Sequence, residues 1–259
     1  MNQALLAGFW GLVGGSALVL GAAVPFIVSL PQRVIAAVMA VGSGVLISAV
    51  AFDLMDEAYH RGGFAATAAG FLGGALVYTI ANIIVSRRGA RHRKRSGSNP
   101  EESQPHASTD QGPGTNTGLA IAIGALLDGI PESVVIGTSL IGGKGVSAVV
   151  VAAVFLSNVP EGLASAAGMR QAGRSARYIF SVWIGIAIAS GLAALLGNVA
   201  LAGAAPSFVA AVTAVAAGAI LAMLVDTMIP EATEATHDYS GLIAVAGFLA
   251  AFCLTKLGG

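Results

Sequence analysis

The feature that most constrains this chain is a succession of apolar runs, each long enough to cross a bilayer. A transmembrane helix needs about 20 predominantly apolar residues. Eight runs meet that length, at roughly 4–28, 34–58, 63–86, 117–140, 146–169, 176–202, 206–231 and 239–257. Composition agrees: 56% of the 259 residues are hydrophobic and only 10% are charged, with a mean hydropathy of +0.81. Such a chain is excluded from the ordinary soluble class. The expected fold is an all-α membrane protein of eight transmembrane helices forming a single domain over residues 1–259.

The 35 glycines suit helices packed closely in lipid, where small residues let backbones approach; they are compatible with a homodimer but do not demand one. The formal net charge is zero, so bulk charge calls for no nucleic-acid partner. The single cysteine, Cys253, forbids an intrachain disulfide and reads as a small core residue. No basic region precedes the first apolar run, so that run is not read as a cleaved signal peptide.

The connections between runs are short except at 87–116, which is basic, then rich in Ser, Pro and Gly, without apolar periodicity. It reads as a flexible loop. Basic residues set the orientation. With the N-terminus outside, the inner connections hold Arg33, Arg87, Arg88, Arg91, Arg93, Lys94, Arg95, Arg170, Arg174 and Arg177, and the outer side only Arg61, Lys144 and Lys256. That asymmetry predicts a multi-pass protein of the cell membrane with both termini outside and the long loop in the cytoplasm.

Two internal repeats follow. Runs four and five carry nearly the same polar insert, Asp128-Gly129-Ile130-Pro131-Glu132-Ser133 and Ser157-Asn158-Val159-Pro160-Glu161-Gly162. A weaker match joins Gly44–Ala58 (GVLISAVAFDLMDEA) to Gly218–Ala232 (GAILAMLVDTMIPEA). In both pairs the two helices run in opposite directions. The expected arrangement is 3+2+3, two inverted units flanking a central pair, a device that puts a binding site near the membrane midplane.

The central inserts carry the chemistry. An ionisable group at that depth is costly and marks a functional site by default. Asp128 and Glu132 are four apart and share a helix face; Ser157 and Glu161 repeat the spacing, and Asn158 lies on the same side. Pro131 and Pro160 lack an N–H, which frees the carbonyls of Leu127 and Leu156 one turn earlier. In lipid a freed carbonyl must find a partner, and a cation between the helices would serve. Carboxylates, an amide oxygen, a hydroxyl and carbonyls make an oxygen-rich set that suits hard or borderline divalent ions. Two other readings stay open on the residues alone: protonated carboxyls hydrogen-bonding helix to helix, and a proton relay without metal.

These inserts resemble those of the ZIP (Zrt/Irt-like protein) metal-ion transporters, in particular the GufA-like bacterial branch. The resemblance extends over nearly the whole length. That family's fourth span usually reads His-Asn-x-Pro-Glu-Gly and its GufA-like fifth span Gln-Asn-x-Pro-Glu-Gly. Here both prolines, both glutamates and Asn158 match, and the Asp226–Ala232 stretch is similar too. Asp128 stands in place of the usual histidine, Gly129 of asparagine and Ser157 of glutamine. The resemblance implies import of a divalent metal ion toward the cytoplasm, with Asp128, Glu132, Asn158, Glu161 and Ser157 as the metal site. Residues 178–200 contain no acid, which implies one ion position rather than two. Without an imidazole, iron or manganese become as natural a cargo as zinc. The metal is substrate; no resident cofactor is expected.

Acidic stripes flank this centre. Asp53, Asp56, Glu57 and His60 share one face of the second run, and Glu231, Glu234 and Asp238, with His237 beside them, lie at the end of the seventh. The expected ion path runs past Asp53 and Glu57 to the central site and out past Asp226 and Glu231. His92 and His106 fall in the loop as a weak version of a histidine-rich segment. An enzyme is not expected, because neither Gly-x-Gly-Asp nor His-Glu-x-x-His occurs. The competing class is a metal-binding receptor or regulator of the same fold without flux.

Overall fold

The computed structural model describes residues 2–87, 115–141 and 145–257. The basic stretch from 88 to 114, with His92 and His106, lies outside the described residues, as do Lys144 and the side chains of 115–122 and of His237. Among the described residues there are helices and no strands. The helices are α1 (Gln3–Ile27), α2 (Gln32–Ala49), α3 (Met55–Val85), α4 (Thr115–Ser139), α5 (Ala148–Gln171), α6 (Ala176–Leu201), α7 (Pro206–Met223), α8 (Ile229–Thr236) and α9 (Ser240–Leu257). Among the described residues, six helical runs are long and apolar enough to cross a membrane: Gln3–Ile27, Gln32–Val85, Ala148–Gln171, Ala176–Leu201, Pro206–Glu234 and Ser240–Leu257.

Two of these runs are composite. A π-helical turn, Val50–Leu54, joins α2 to α3, and a second, Leu224–Met228, joins α7 to α8. The first run, of 54 residues, carries Gly63 at φ 71°, ψ 177°, a backbone state open to glycine and costly for other residues. The second and third apolar runs of the sequence are thus one helical stretch with a break at Gly63. Helix starts follow local chemistry: Asn2, Ser147 and Ser175 accept from the backbone N–H groups of Ala4, Val150 and Tyr178, and Pro206 opens α7 at the position where its missing N–H costs nothing.

Packing divides the helices into two groups. The closest pairs in one are α3 with α7 and α2 with α9; in the other, α1 with α6, α1 with α5, and α4 with α6. Contacts of α2 with α5 and of α4 with α7 join the groups. Glycines set the crossings. A Cβ on Gly44 would collide with Ala244 O, and one on Gly247 with Val41 O, where α2 meets α9. Where α7 meets α3, a Cβ on Gly218 would collide with Phe71 O, and one on Gly74 with Val215 O. The two crossings use the same spacings: Val41 and Gly44 answer to Val215 and Gly218, and Ala244 and Gly247 to Phe71 and Gly74. Each π-helical turn begins six residues after its crossing glycine. The weaker sequence match between 44–58 and 218–232 therefore coincides with a matched pair of crossings and a matched helical irregularity.

Candidate functional site

All five residues expected at the centre are buried, on two helices that touch. Asp128 and Glu132 on α4 are each 1% exposed; Ser157, Asn158 and Glu161 on α5 are 1%, 3% and 3% exposed. α4 and α5 both run through their prolines without ending. The Pro160 turn has room because α2 presents Gly42 to it: an added Cβ there would stand 2.9 Å from Pro160 Cγ, with Met228 Cε and Ser157 Cα next nearest.

The polar atoms have definite partners. The hydroxyl of Tyr78, on α3, donates to Asp128 Oδ1 at 2.6 Å, and Tyr78 is itself buried. Asn158 Nδ2 donates to Gly14 O of α1 at 3.0 Å. A carbonyl can only accept, so this contact fixes the amide with Oδ1 as its remaining acceptor. Ser157 Oγ donates back to Val154 O at 2.9 Å, and Ser133 Oγ to Gly129 O at 2.7 Å. Among the described residues no group of three or more His, Cys, Asp or Glu is arranged to hold a metal ion. The expected three-carboxylate cluster of Asp128, Glu132 and Glu161 is thus not assembled in this conformation.

Several of the flanking acids have partners close by. Asp53 and Asp226 each sit in a π-helical turn, and each is turned toward a neighbour in its own group. Thr255 Oγ1 of α9 donates to Asp53 Oδ2 at 3.2 Å, and Asn82 Nδ2 of α3 donates to Asp226 Oδ2 at 3.3 Å. Thr255 lies eight residues beyond Gly247, and Asn82 eight beyond Gly74, so the two contacts are counterparts under the same correspondence as the crossings. Glu57 pairs with Arg61 at 2.6 Å, and Asp56 stands 3.5 Å from the exposed His60. Glu231 is buried, while Glu234 and Asp238 are exposed. The cysteine expected in the core, Cys253, is exposed on α9, a helix whose 18-residue span is 17% buried.

Four residues that matter here were not singled out from sequence. Asn82, Thr255 and Asn198 are polar groups inside apolar runs, a signal the sequence does contain; Asn198 Nδ2 donates to Gly137 O at 3.0 Å and ties α6 to α4. Tyr78 carries no such signal, because an aromatic residue in an apolar helix is unremarkable until its neighbour is known.

The fold and these helices define a multi-pass, all-helical membrane protein with a buried polar centre. No family model matches the chain, and comparison with curated proteins gives no match.

Proposed function

We propose that this protein is a divalent metal-ion transporter of the ZIP kind, moving the ion toward the cytoplasm through a site between α4 and α5. One observation carries the reading: five polar side chains, three of them carboxylic, are buried at the proline-interrupted middles of two touching helices of membrane length. Buried acids without a function are expensive to keep. Asp128, Glu132 and Glu161 together with the Asn158 amide oxygen and backbone oxygens suit an oxygen-preferring cation such as manganese or ferrous iron, and zinc less specifically.

The eight-pass, 3+2+3 arrangement belongs to the same proposal. A straight helix of 54 residues would be about 80 Å long, against a hydrocarbon core of about 30 Å. The break at Gly63 makes two passes of it, and α4 supplies a further one. Arg61 Nη2 donates to Ile141 O at 3.2 Å, and Arg170 Nη1 donates to Pro25 O. These contacts join chain segments that the alternating topology assigns to the same side, outer and inner respectively. The paired crossings, π-helical turns and aspartate contacts support an inverted repeat relating α2 to α7 and α3 to α9. The path entrance and exit are assigned to Asp53 and Glu57, and to Asp226 and Glu231.

The test is metal uptake into proteoliposomes of the purified protein with Mn²⁺, Fe²⁺ and Zn²⁺. Glu132→Gln and Glu161→Gln are each expected to reduce uptake by about 10-fold or more, the scale on which lost metal-site groups act. Unchanged uptake in both variants would refute the proposal. The absence of a three-acid group among the described residues, with the short Tyr78–Asp128 contact, favours one second reading, a proton relay without metal. Internal acidification of the same vesicles without added metal would select it, and saturable metal binding without flux would select a receptor.

A further inference from the structure

We propose that Tyr78 determines which divalent cations the α4–α5 site accepts, by holding Asp128 to one-oxygen coordination. The inference deepens the metal-site reading above and rests on it. Tyr78 belongs to α3, which packs on α7, whereas Asp128 belongs to α4. The phenol is 1% exposed and the carboxylate 1% exposed, and the O–H···O distance of 2.6 Å is at the short end for a charge-assisted bond.

The consequence is for coordination. Asp128 is fixed at its backbone by α4 and at Oδ1 by α3, so its carboxylate has little freedom to rotate. A cation drawn onto both oxygens would have to share Oδ1 with the phenolic proton, and two positive partners on one oxygen weaken each other. Asp128 therefore engages a cation through Oδ1 only at reduced strength. Ions differ in what they ask of such a ligand. Small ions near octahedral geometry take separate single oxygens, at about 2.0–2.1 Å for Mg²⁺, whereas Ca²⁺ collects six to eight oxygens at about 2.3–2.6 Å and readily uses both oxygens of a carboxylate. The Tyr78 contact thus disfavours the larger ion at the step where the site would otherwise expand around it.

The test is the ratio of Kd values for Ca²⁺ and Mn²⁺ in the full-length protein in lipid nanodiscs. In Tyr78→Phe, which keeps the ring and removes only the hydroxyl, the Ca²⁺ to Mn²⁺ ratio is expected to fall by about 10-fold as two-oxygen coordination opens to the larger ion. A merely structural role would move both constants together and leave their ratio unchanged; that result overturns the proposal. Asp128→Asn separates the two layers. If it leaves both constants unaltered, the metal-site reading fails and takes this inference with it. If it weakens binding while Tyr78→Phe preserves the ratio, only the role of Tyr78 falls. Should Tyr78→Phe not fold, infrared difference spectra of the Mn²⁺-loaded wild-type protein with ¹³C-labelled aspartate read the coordination directly. A wide carboxylate splitting from the band lost in Asp128→Asn supports one-oxygen coordination, and a narrow splitting overturns it.

Discussion

The glycine crossings give the most direct test of the architecture, through Gly44→Ala and Gly218→Ala. At Gly44 the new Cβ would collide with Ala244 O and stand 2.8 Å from both Ala244 C and Phe248 N, where ordinary contact begins at 3.4 Å. At Gly218 it would collide with Phe71 O and stand 2.8 Å from Phe71 C. The atoms met are backbone in both cases, so no side chain can swing aside. The helices must separate by about 1 Å, a gap that forfeits a quarter to a half of each facing dispersion contact. Overpacking of this kind costs about 1–3 kcal/mol, and for a chain of this size each kcal/mol lowers Tm by about 2–4 °C. Each variant should therefore lose about 2–12 °C in a detergent thermal-shift assay, and the two losses should be similar because the crossings are counterparts. Gly73→Ala is the control: it lies on the same α3 helix with nothing within 4 Å of its added Cβ. There alanine should gain up to about 1 kcal/mol of helix propensity and leave Tm level or slightly raised. Equal behaviour of Gly44→Ala and Gly73→Ala would refute the close crossing, and a loss at Gly44 alone would refute the correspondence.

Other outcomes follow from the same contacts. Thr255→Ala and Asn82→Ala each remove one side-chain donor from an aspartate in a π-helical turn, and each should cost about 0.5–1.5 kcal/mol of stability by thermal shift, nearly equal in the two. Gly63→Ala meets no atom within 4 Å but forces an L-residue to φ 71°, so it should cost about 1–2 kcal/mol through backbone strain alone. Gly63→Asn should lose as much in the same assay, because at ψ 177° the backbone lies outside the left-handed helical region that Asn tolerates.

The helical framework was legible in the sequence because it is written in hydropathy, and hydropathy is what a bilayer reads. The central pair was legible for the complementary reason: Asp128, Glu132 and Glu161 break apolar runs, and charge in such a run is conspicuous. Their burial is as expected. The Tyr78 partner of Asp128 was not foreseeable, since it arrives from a helix some 50 residues earlier. The π-helical turns were invisible because one extra residue in a turn changes no composition; Val50–Leu54 and Leu224–Met228 are as apolar as their flanks apart from one aspartate each. Asp53 and Asp226 were recognised as unusual, but spacing alone gave no direction for their side chains. The contacts with Thr255 and Asn82 turn both toward α9 and α3, helices that carry no part of the central insert.

The polar contacts also bear on where the molecule can move. Asn158 to Gly14, Asn198 to Gly137 and Arg170 to Pro25 all lie within the group of α1, α4, α5 and α6. Thr255 to Asp53 and Asn82 to Asp226 lie within the group of α2, α3, α7 and α9. Tyr78 to Asp128 and Arg61 to Ile141 cross between the groups, joining α3 to α4 and to the turn just past it. Each net hydrogen bond is worth about 0.5–1.5 kcal/mol, so these two contribute a few kcal/mol at most. A transporter that works by sliding one group past the other has to break both contacts. Cysteines introduced by Arg61→Cys and Ile141→Cys, in a Cys253→Ala background, allow the seam to be closed with a short bismaleimide. Cross-linked protein in proteoliposomes should lose metal uptake, while the same double variant without the reagent should retain it. Full uptake after complete cross-linking would show that the groups do not move at this seam, and would direct attention to motion within the α4–α5 pair instead.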